Sequence, residues 1–433
     1  MSKNEETFQR SLNLNVRDLG PSATLAINEK SKAMAAQGRE IHYFGLGQSP
    51  FPVPDIMVEE LKKNAHQKDY LPVKGLLSLR EAVAQYHNRH DGLSATGEDV
   101  IIGPGSKELM FLVQLAFYGD LLIPAPSWVS YGPQASIIGR KIRWISTSQK
   151  DSWRLTPKAL EEECKDDPSR PRLLILNYPS NPTGHSFSDK ELMELSRVAR
   201  KYKIILLSDE IYSGTHHQGK HTSIARFYPE GTIISGGISK WIGAGGWRLG
   251  TFTFPKNLRW LLDAIGVVAS ETYTSVSAPI QYAAIKAFEG GSEVDEYLLH
   301  SQKILRAVAQ YVWEKLSSHS VIVSKPVGGF YLLPNFEPWR KNLEKRGIYT
   351  SKDLCHKLLE EASVATLPGV DFGRPAHELT MRLAFVDFDG AKALRESIKM
   401  GDAVRDHDEA FLKAYCPKII KAVELMIAWL KQS

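Results

Sequence analysis

Three short runs, Leu121–Ile123, Arg172–Leu176 and Ile204–Ser208, constrain this chain most. They show almost no alternation of apolar and polar residues. A strand with one wet face alternates, whereas a strand covered on both faces does not. Four further strand-like runs, Val100–Ile102, Ile142–Ile145, Thr232–Ser235 and Thr251–Phe254, continue the series, with helical stretches between them. The expectation is an α/β fold built on a mostly parallel seven-stranded sheet flanked by helices. Ligand loops in such a fold lie beyond the carboxyl ends of the strands.

The chain has 433 residues, more than one average domain. Residues 1–21 read as an arm, and Ser22–Gly38 reads as a capped helix stopped by glycine. Glu293–Ser317 reads as one long helix bridging two domains. Beyond it come strand-like Ser320–Ser324, Gly329–Leu333, Val364–Leu367 and Thr380–Phe385, a helix at Ser351–Ala362, and an amphipathic helix at Pro417–Lys431. The expected division is a large domain at 51–310 and a smaller α+β domain at 311–433, joined by residues 1–50.

Charged residues make up 24% and apolar residues 43%, the balance of a soluble globular protein. A net charge of +5 without a dense Lys/Arg run gives no reason to expect nucleic acid. No run is long enough to span a bilayer. Three widely spaced cysteines form neither a disulfide framework nor a zinc pattern, which fits a reducing cytoplasm.

Chemistry concentrates in Ser235–Gly250, which holds Lys240, Arg248 and six glycines. Glycine at that density lets backbone approach a ligand closely. A desolvated lysine is a nucleophile toward a carbonyl, and arginine offers a fork for a phosphate. Aldehyde and phosphate together suggest pyridoxal phosphate; the plain alternative is a loop with two solvated cations. Gly103-Pro104-Gly105-Ser106-Lys107 follows a strand and opens a helix, an arrangement that suits phosphate. Trp128 follows another strand and offers a face for stacking, or simply packs in the core. Asn181 precedes a proline, so its amide can be aimed. Asp209 closes a strand and, beside a pyridine nitrogen, would keep that nitrogen protonated; Tyr212 follows three residues on. Arg382 sits inside an apolar strand, where an unpaired charge is expensive. It pairs either with a structural carboxylate or with that of a substrate.

Read in order, Asn181-Pro182-Thr183-Gly184, Asp209-Glu210-Ile211-Tyr212, Lys240 with Arg248, and Arg382 resemble the motifs of fold-type I pyridoxal-phosphate enzymes, specifically class I aminotransferases. Ser22–Ile27, Lys68-Asp69-Tyr70, Gly105-Ser106-Lys107 and Trp128–Tyr131 resemble those of the bacterial aspartate and prephenate aminotransferases. The resemblance runs from about Ser22 to about residue 400. It implies exchange of an amino group between an L-amino acid and a 2-oxo acid by a ping-pong mechanism. Lys240 would bind pyridoxal 5'-phosphate covalently and move the substrate proton. Asp209 would pair with the pyridine nitrogen, Asn181 and Tyr212 would bond the ring oxygen, and Trp128 would stack on the ring. Gly105, Ser106, Lys107, Ser239 and Arg248 would hold the phosphate. Tyr70 would reach the phosphate of a neighbouring subunit in a homodimer with shared sites. Gly47, Asn181 and Arg382 would hold the substrate α-carboxylate.

Two readings of Lys107 stand. Its side chain meets the second carboxylate of aspartate or glutamate, with hydroxyls near Ser22 and Thr24, or only its backbone serves the phosphate. The same fold hosts aromatic and broad-range aminotransferases and C–S lyases. Gly237 stands where many relatives have a phosphate-binding serine, and Gln48 where they often have glutamate. The chain also carries extra residues near Glu337–Tyr349 and at 401–433.

Overall fold

The computed structural model describes residues 12–17, 19–20, 23–401 and 408–432. Most of the arm, Ser22 and the Thr24 side chain fall outside the described residues. The strands, in chain order, are β1 (His42–Tyr43), β2 (Val100–Gly103), β3 (Asp120–Ala125), β4 (Ile142–Ser146), β5 (Arg172–Asn177) and β6 (Ile205–Asp209). They continue with β7 (Thr232–Gly237), β8 (Gly250–Thr253), β9 (Tyr331–Leu332), β10 (Val364–Ala365), β11 (Leu367–Pro368) and β12 (Met381–Ala384).

Seven of them form one sheet in the order β2-β8-β7-β6-β5-β3-β4. Only β8 runs antiparallel to its neighbours. The missing alternation has its expected cause. Leu121, Ile123, Leu173 and Ile175 enter one apolar core with residues of helices Ser106–Ala116 and Arg259–Ser270. Their neighbours Leu122, Leu174 and Leu176 enter another, with residues of helices Pro157–Cys164 and Asp189–Lys201. Both faces are dry, so every strand position favours an apolar side chain.

A further core gathers residues from helix Ser292–Ser317 to the C-terminal helix Pro417–Leu430, together with Phe44 and Phe51. It surrounds the small sheets, β1 parallel to β10 and the antiparallel β11-β12-β9. The segment 401–433, extra in length, contributes core residues such as Trp429, over which the Arg346 guanidinium lies at 4.2 Å from the ring centroid.

Three expectations are corrected. Ser320–Ser324 is not a strand: only Ile322 pairs, in an isolated bridge to Asn335. Ser320 has φ 58°, which turns the chain out of extended geometry. The strand expected at Gly329–Leu333 shrinks to Tyr331–Leu332, because Gly329 (φ 65°) makes a turn. Val364–Leu367 divides in two, its first half pairing with β1 and its second, through Leu367 and Pro368, with β12.

Candidate active site

The carboxyl ends of β2, β3, β5, β6 and β7 lie along one edge of the large sheet. The reversed β8 begins there, with Gly250 opposite both Gly103 and Gly237. Arg248 therefore arrives beside the loop that opens helix Ser106–Ala116. A Cβ on Gly105 (φ 90°) would collide with the Arg248 guanidinium, and one on Gly250 would collide with the Ser106 backbone. The glycines thus bring a cation against free helix N–H groups, the making of an anion cradle. Arg248 itself donates to Gly245 O (2.9 Å) and Pro104 O (3.2 Å).

A cavity of ≈ 530 Å³ opens at this edge. Gly47, Ser106, Lys107, Trp128, Asn181, Asp209, Tyr212, Ser239, Lys240, Arg248 and Arg382, all singled out from sequence, line it. Gly105 stands behind it as the helix cap. Tyr70 does not line it and is 90% exposed.

Lys240 Nζ donates to Gly47 O at 2.8 Å. Burial, then the charge of Arg382, pushes its pKa down to about 8; Arg248 and Lys107 add to this and Asp209 opposes it. Asp209, only 4% exposed, accepts a 2.5 Å hydrogen bond from Tyr131 and has no ion-pair partner among the described residues. Burial raises its pKa to about 6, opposed first by the Tyr131 bond. A buried carboxylate in this state favours a cationic N–H in the cavity.

Arg382 is the converse case. It is 2% exposed and faces no carboxylate among the described residues. Its Nη1 donates to Asn181 Oδ1 at 3.2 Å, its Nη2 to Gly45 O, and its buried Nε has no partner. The guanidinium lies 4.8 Å from the Tyr331 ring centroid and 5.1 Å from that of Phe372. Burial lowers its pKa. Of the two sequence readings, a structural carboxylate partner is therefore the one not observed.

Tyr331 was not singled out from sequence. Its hydroxyl lies 2.8 Å from that of Tyr212 and donates to Gly47 O at 3.4 Å. A Cβ on residue 47 would collide with it. Asn177 was also missed: it accepts from Asn181 N and donates to Asp209 O, both at 2.8 Å, tying two loops together. Gly237 has φ 144°, and a Cβ there would lie 2.7 Å from Leu249 O, so a serine does not fit this backbone. Lys107 Nζ stands 5.0 Å from the Trp128 ring centroid; burial and then Arg248 lower its pKa.

A buried amine, a buried carboxylate and two arginines around one cavity define a site for an anionic ligand that also carries a basic nitrogen. The chain belongs to the family described as aminotransferase class I and II, which matches residues 41–397, and it is a transaminase. An aspartate aminotransferase of Bacillus sp. (strain YM-2) is 31% identical over 380 residues, 86% of this chain and 93% of that protein. The aspartate aminotransferase of Geobacillus stearothermophilus is 33% identical over 370 residues, 83% and 91% of the two chains. Among solved structures, the aspartate aminotransferase of Thermus thermophilus with maleate superposes with a TM-score of 0.80 at 28% identity, covering 92% of this chain and all of that one.

Proposed function

We propose that this transaminase is of the aspartate type: it exchanges the amino group of a dicarboxylic L-amino acid with a 2-oxo acid such as 2-oxoglutarate, using pyridoxal 5'-phosphate. The observation that carries the reading is the pair of uncompensated charges in one cavity. Asp209 lacks a cation and Arg382 lacks a carboxylate. A protonated pyridine answers the first and a substrate α-carboxylate the second.

The cofactor, when bound, supplies an electron sink for the charge left at the substrate Cα. The remaining steps belong to residues of this chain. Lys240, held near pH 8 by burial, keeps a neutral fraction at physiological pH and so acts as nucleophile and then as base at the Cα proton. Asp209 holds the pyridine proton. Asn181 and Tyr212 orient the ring oxygen, Tyr331 supports Tyr212, and Trp128 covers the ring face. Ser106, Lys107, Ser239 and Arg248, with Gly105 behind them, would receive the phosphate. Arg382, Asn181 and Gly47 orient the α-carboxylate.

Lys107 lines the cavity with its ammonium 5.0 Å from the Trp128 ring centroid, and that placement supports a second substrate carboxylate there. Maleate in the Thermus thermophilus structure is itself a dicarboxylate. A homodimer is the fitting assembly, since Tyr70 is exposed and apart from its own cavity. The separate cores support a division into 51–310 and a smaller unit of 1–50 with 311–433. Three buried, unpaired cysteines support the cytoplasm as its compartment, and among the described residues no helix is long and apolar enough to cross a membrane.

The test is the absorbance of the purified holoenzyme, titrated with single amino acids and no acceptor. Conversion of the lysine-bound band to the shorter-wavelength pyridoxamine band at the lowest concentrations of aspartate or glutamate supports the reading. Conversion by aromatic or aliphatic donors first would replace it with a broad-range enzyme. Ammonia or sulfide from thio-amino acids without conversion would make it a lyase.

A further inference from the structure

A second cavity of ≈ 480 Å³, almost as large as the first, lies on the other side of the same strands. Ser235 and Gly237 of β7 and Thr251 of β8 form its floor. Helices Leu77–Asp91, Ala278–Glu289 and Ser292–Ser317 supply its walls. Consecutive residues divide between the two spaces: Asp209 lines the first and Glu210 the second. Ser235 connects them, because its hydroxyl donates to Asp209 Oδ1 at 3.4 Å.

Two buried carboxylates face this space, and they differ. Glu210 is saturated: it accepts from His221 Nε2, Ser208 and Ser223, each at 2.7 Å. Asp91 is 6% exposed and is bonded through Oδ2 alone, to His87 Nδ1 at 2.7 Å. Its Oδ1 has no partner among the described residues. Burial, the largest single influence, opposes the charge on Asp91, but the His87 bond and the charges of His87, His221 and His90 together hold the carboxyl below its ordinary range. An ionised oxygen with an open lone pair on the wall of a cavity takes a donor or a cation from that cavity.

The surroundings say what kind. Glu289 and Asp295 add two carboxylates at the lining, against one arginine, Arg89, which donates to Phe288 O at 2.8 Å, and three histidines, His87, His90 and His221, of which His87 is bonded to Asp91 and His221 to Glu210. Trp241 and Phe288, with ring centroids 5.9 Å apart, make an apolar wall. No group of three or more His, Cys, Asp or Glu among the described residues can hold a metal ion. Negative charge, an apolar wall and no metal cluster describe a receptor for an amine on a hydrocarbon body.

We propose that this second cavity binds a small organic cation, with its ammonium group against Asp91 Oδ1 and its apolar body against Trp241 and Phe288.

The experiment is calorimetric titration of the holoenzyme with benzyltrimethylammonium, which has no N–H and so cannot condense with a carbonyl in the first cavity. Benzyl alcohol is the neutral control, and the titration is repeated in excess maleate. One saturable site per chain is expected, with benzyl alcohol at least about tenfold weaker and maleate without effect. Asp91→Asn should weaken the cation about tenfold. Asp295→Asn, at an exposed position, should weaken it a few-fold and keeps the test usable if Asp91→Asn fails to fold. Absence of saturable binding, equal binding of benzyl alcohol, displacement by maleate, or unchanged affinity in the folded variants would each overturn the proposal. Only displacement by maleate would touch the reading of the first cavity, so the two fail separately.

Discussion

The two sides of the first cavity are built by different means. The side proposed for the cofactor comes from Ser106, Trp128, Asn181, Asp209, Tyr212, Lys240 and Arg248, almost all just past strand ends of one seven-stranded sheet. The side proposed for the substrate comes from Gly47, Tyr331 and Arg382, set on or beside β1, β9 and β12. No strand of the large sheet pairs with those three. Within the cavity, side-chain bonds join the sides: Lys240 to Gly47, Tyr212 to Tyr331, Arg382 to Asn181. A backbone ladder fixes geometry over many residues at once, whereas single side-chain bonds of about 1 kcal/mol each can be exchanged one at a time. On the proposed roles, the difference teaches that the chemistry would be tied to the sheet, while substrate choice would rest on groups that can change without disturbing it.

Substitutions on the two sides should therefore fail differently. The largest effect belongs to Lys240→Ala. It removes nucleophile and base together and should lower turnover by about 10⁴-fold or more. The lysine-bound absorbance band should vanish with it. Normal turnover in this variant would break the assignment of the whole cofactor side. Arg382→Ala comes next, at about 10²–10³-fold in kcat/KM for every α-carboxylate substrate. The absorbance band of the resting holoenzyme should be unchanged. Loss of that band as well would show that the two sides are not separable.

Asp209→Asn sharpens the comparison through pH. Burial raises the folded pKa of Asp209 to about 6, so the folded state holds a proton that the unfolded state has released. Stability of the apoprotein should then fall as pH rises between roughly 4 and 6. Above that window Asp209 should cost about 2–3 kcal/mol. The asparagine variant should recover much of this in denaturant titrations at pH 7, flatten the pH dependence, and lose activity. A variant less stable at pH 7 than at pH 4, like the parent, would sink the argument.

The same division explains what could be read from the sequence. Three of the seven strands were legible because covering both faces removes polar alternation, as Leu173–Leu176 shows by sending successive residues into opposite cores, and the other four by their short apolar runs between helical stretches. The cofactor side was legible because each motif sits just past such a strand. Arg382 stood out as a charge in an apolar run, and the structure leaves it without a carboxylate. Tyr331 was not legible: in Phe330-Tyr331-Leu332 it looks like any core aromatic. Its contact depends on the missing Cβ of Gly47, far away in the chain. Ser320–Ser324 misled because a β-like composition says nothing of the left-handed φ at Ser320. The second cavity left no motif, since its walls are three helices whose pairing lies beyond local sequence.

Lys107 is where the two sides meet, and its variant gives the smallest and most selective effect. Its backbone belongs to the helix start proposed to receive the phosphate, and its ammonium hangs over Trp128. Burial and Arg248 both disfavour its charge, so a nearby anion would be welcome. If that anion is the second carboxylate of the substrate, Lys107→Ala should lower kcat/KM for aspartate and glutamate about tenfold. Alanine and phenylalanine should keep their values within about twofold, because they offer the ammonium nothing. If the anion is the phosphate, every substrate should lose equally and the cofactor should dissociate more readily from the resting enzyme. Parallel kinetics on the four amino acids, with one cofactor titration, separates these cases. A uniform loss would move Lys107 wholly to the cofactor side, leaving substrate choice to Gln48 and the elements around Tyr331.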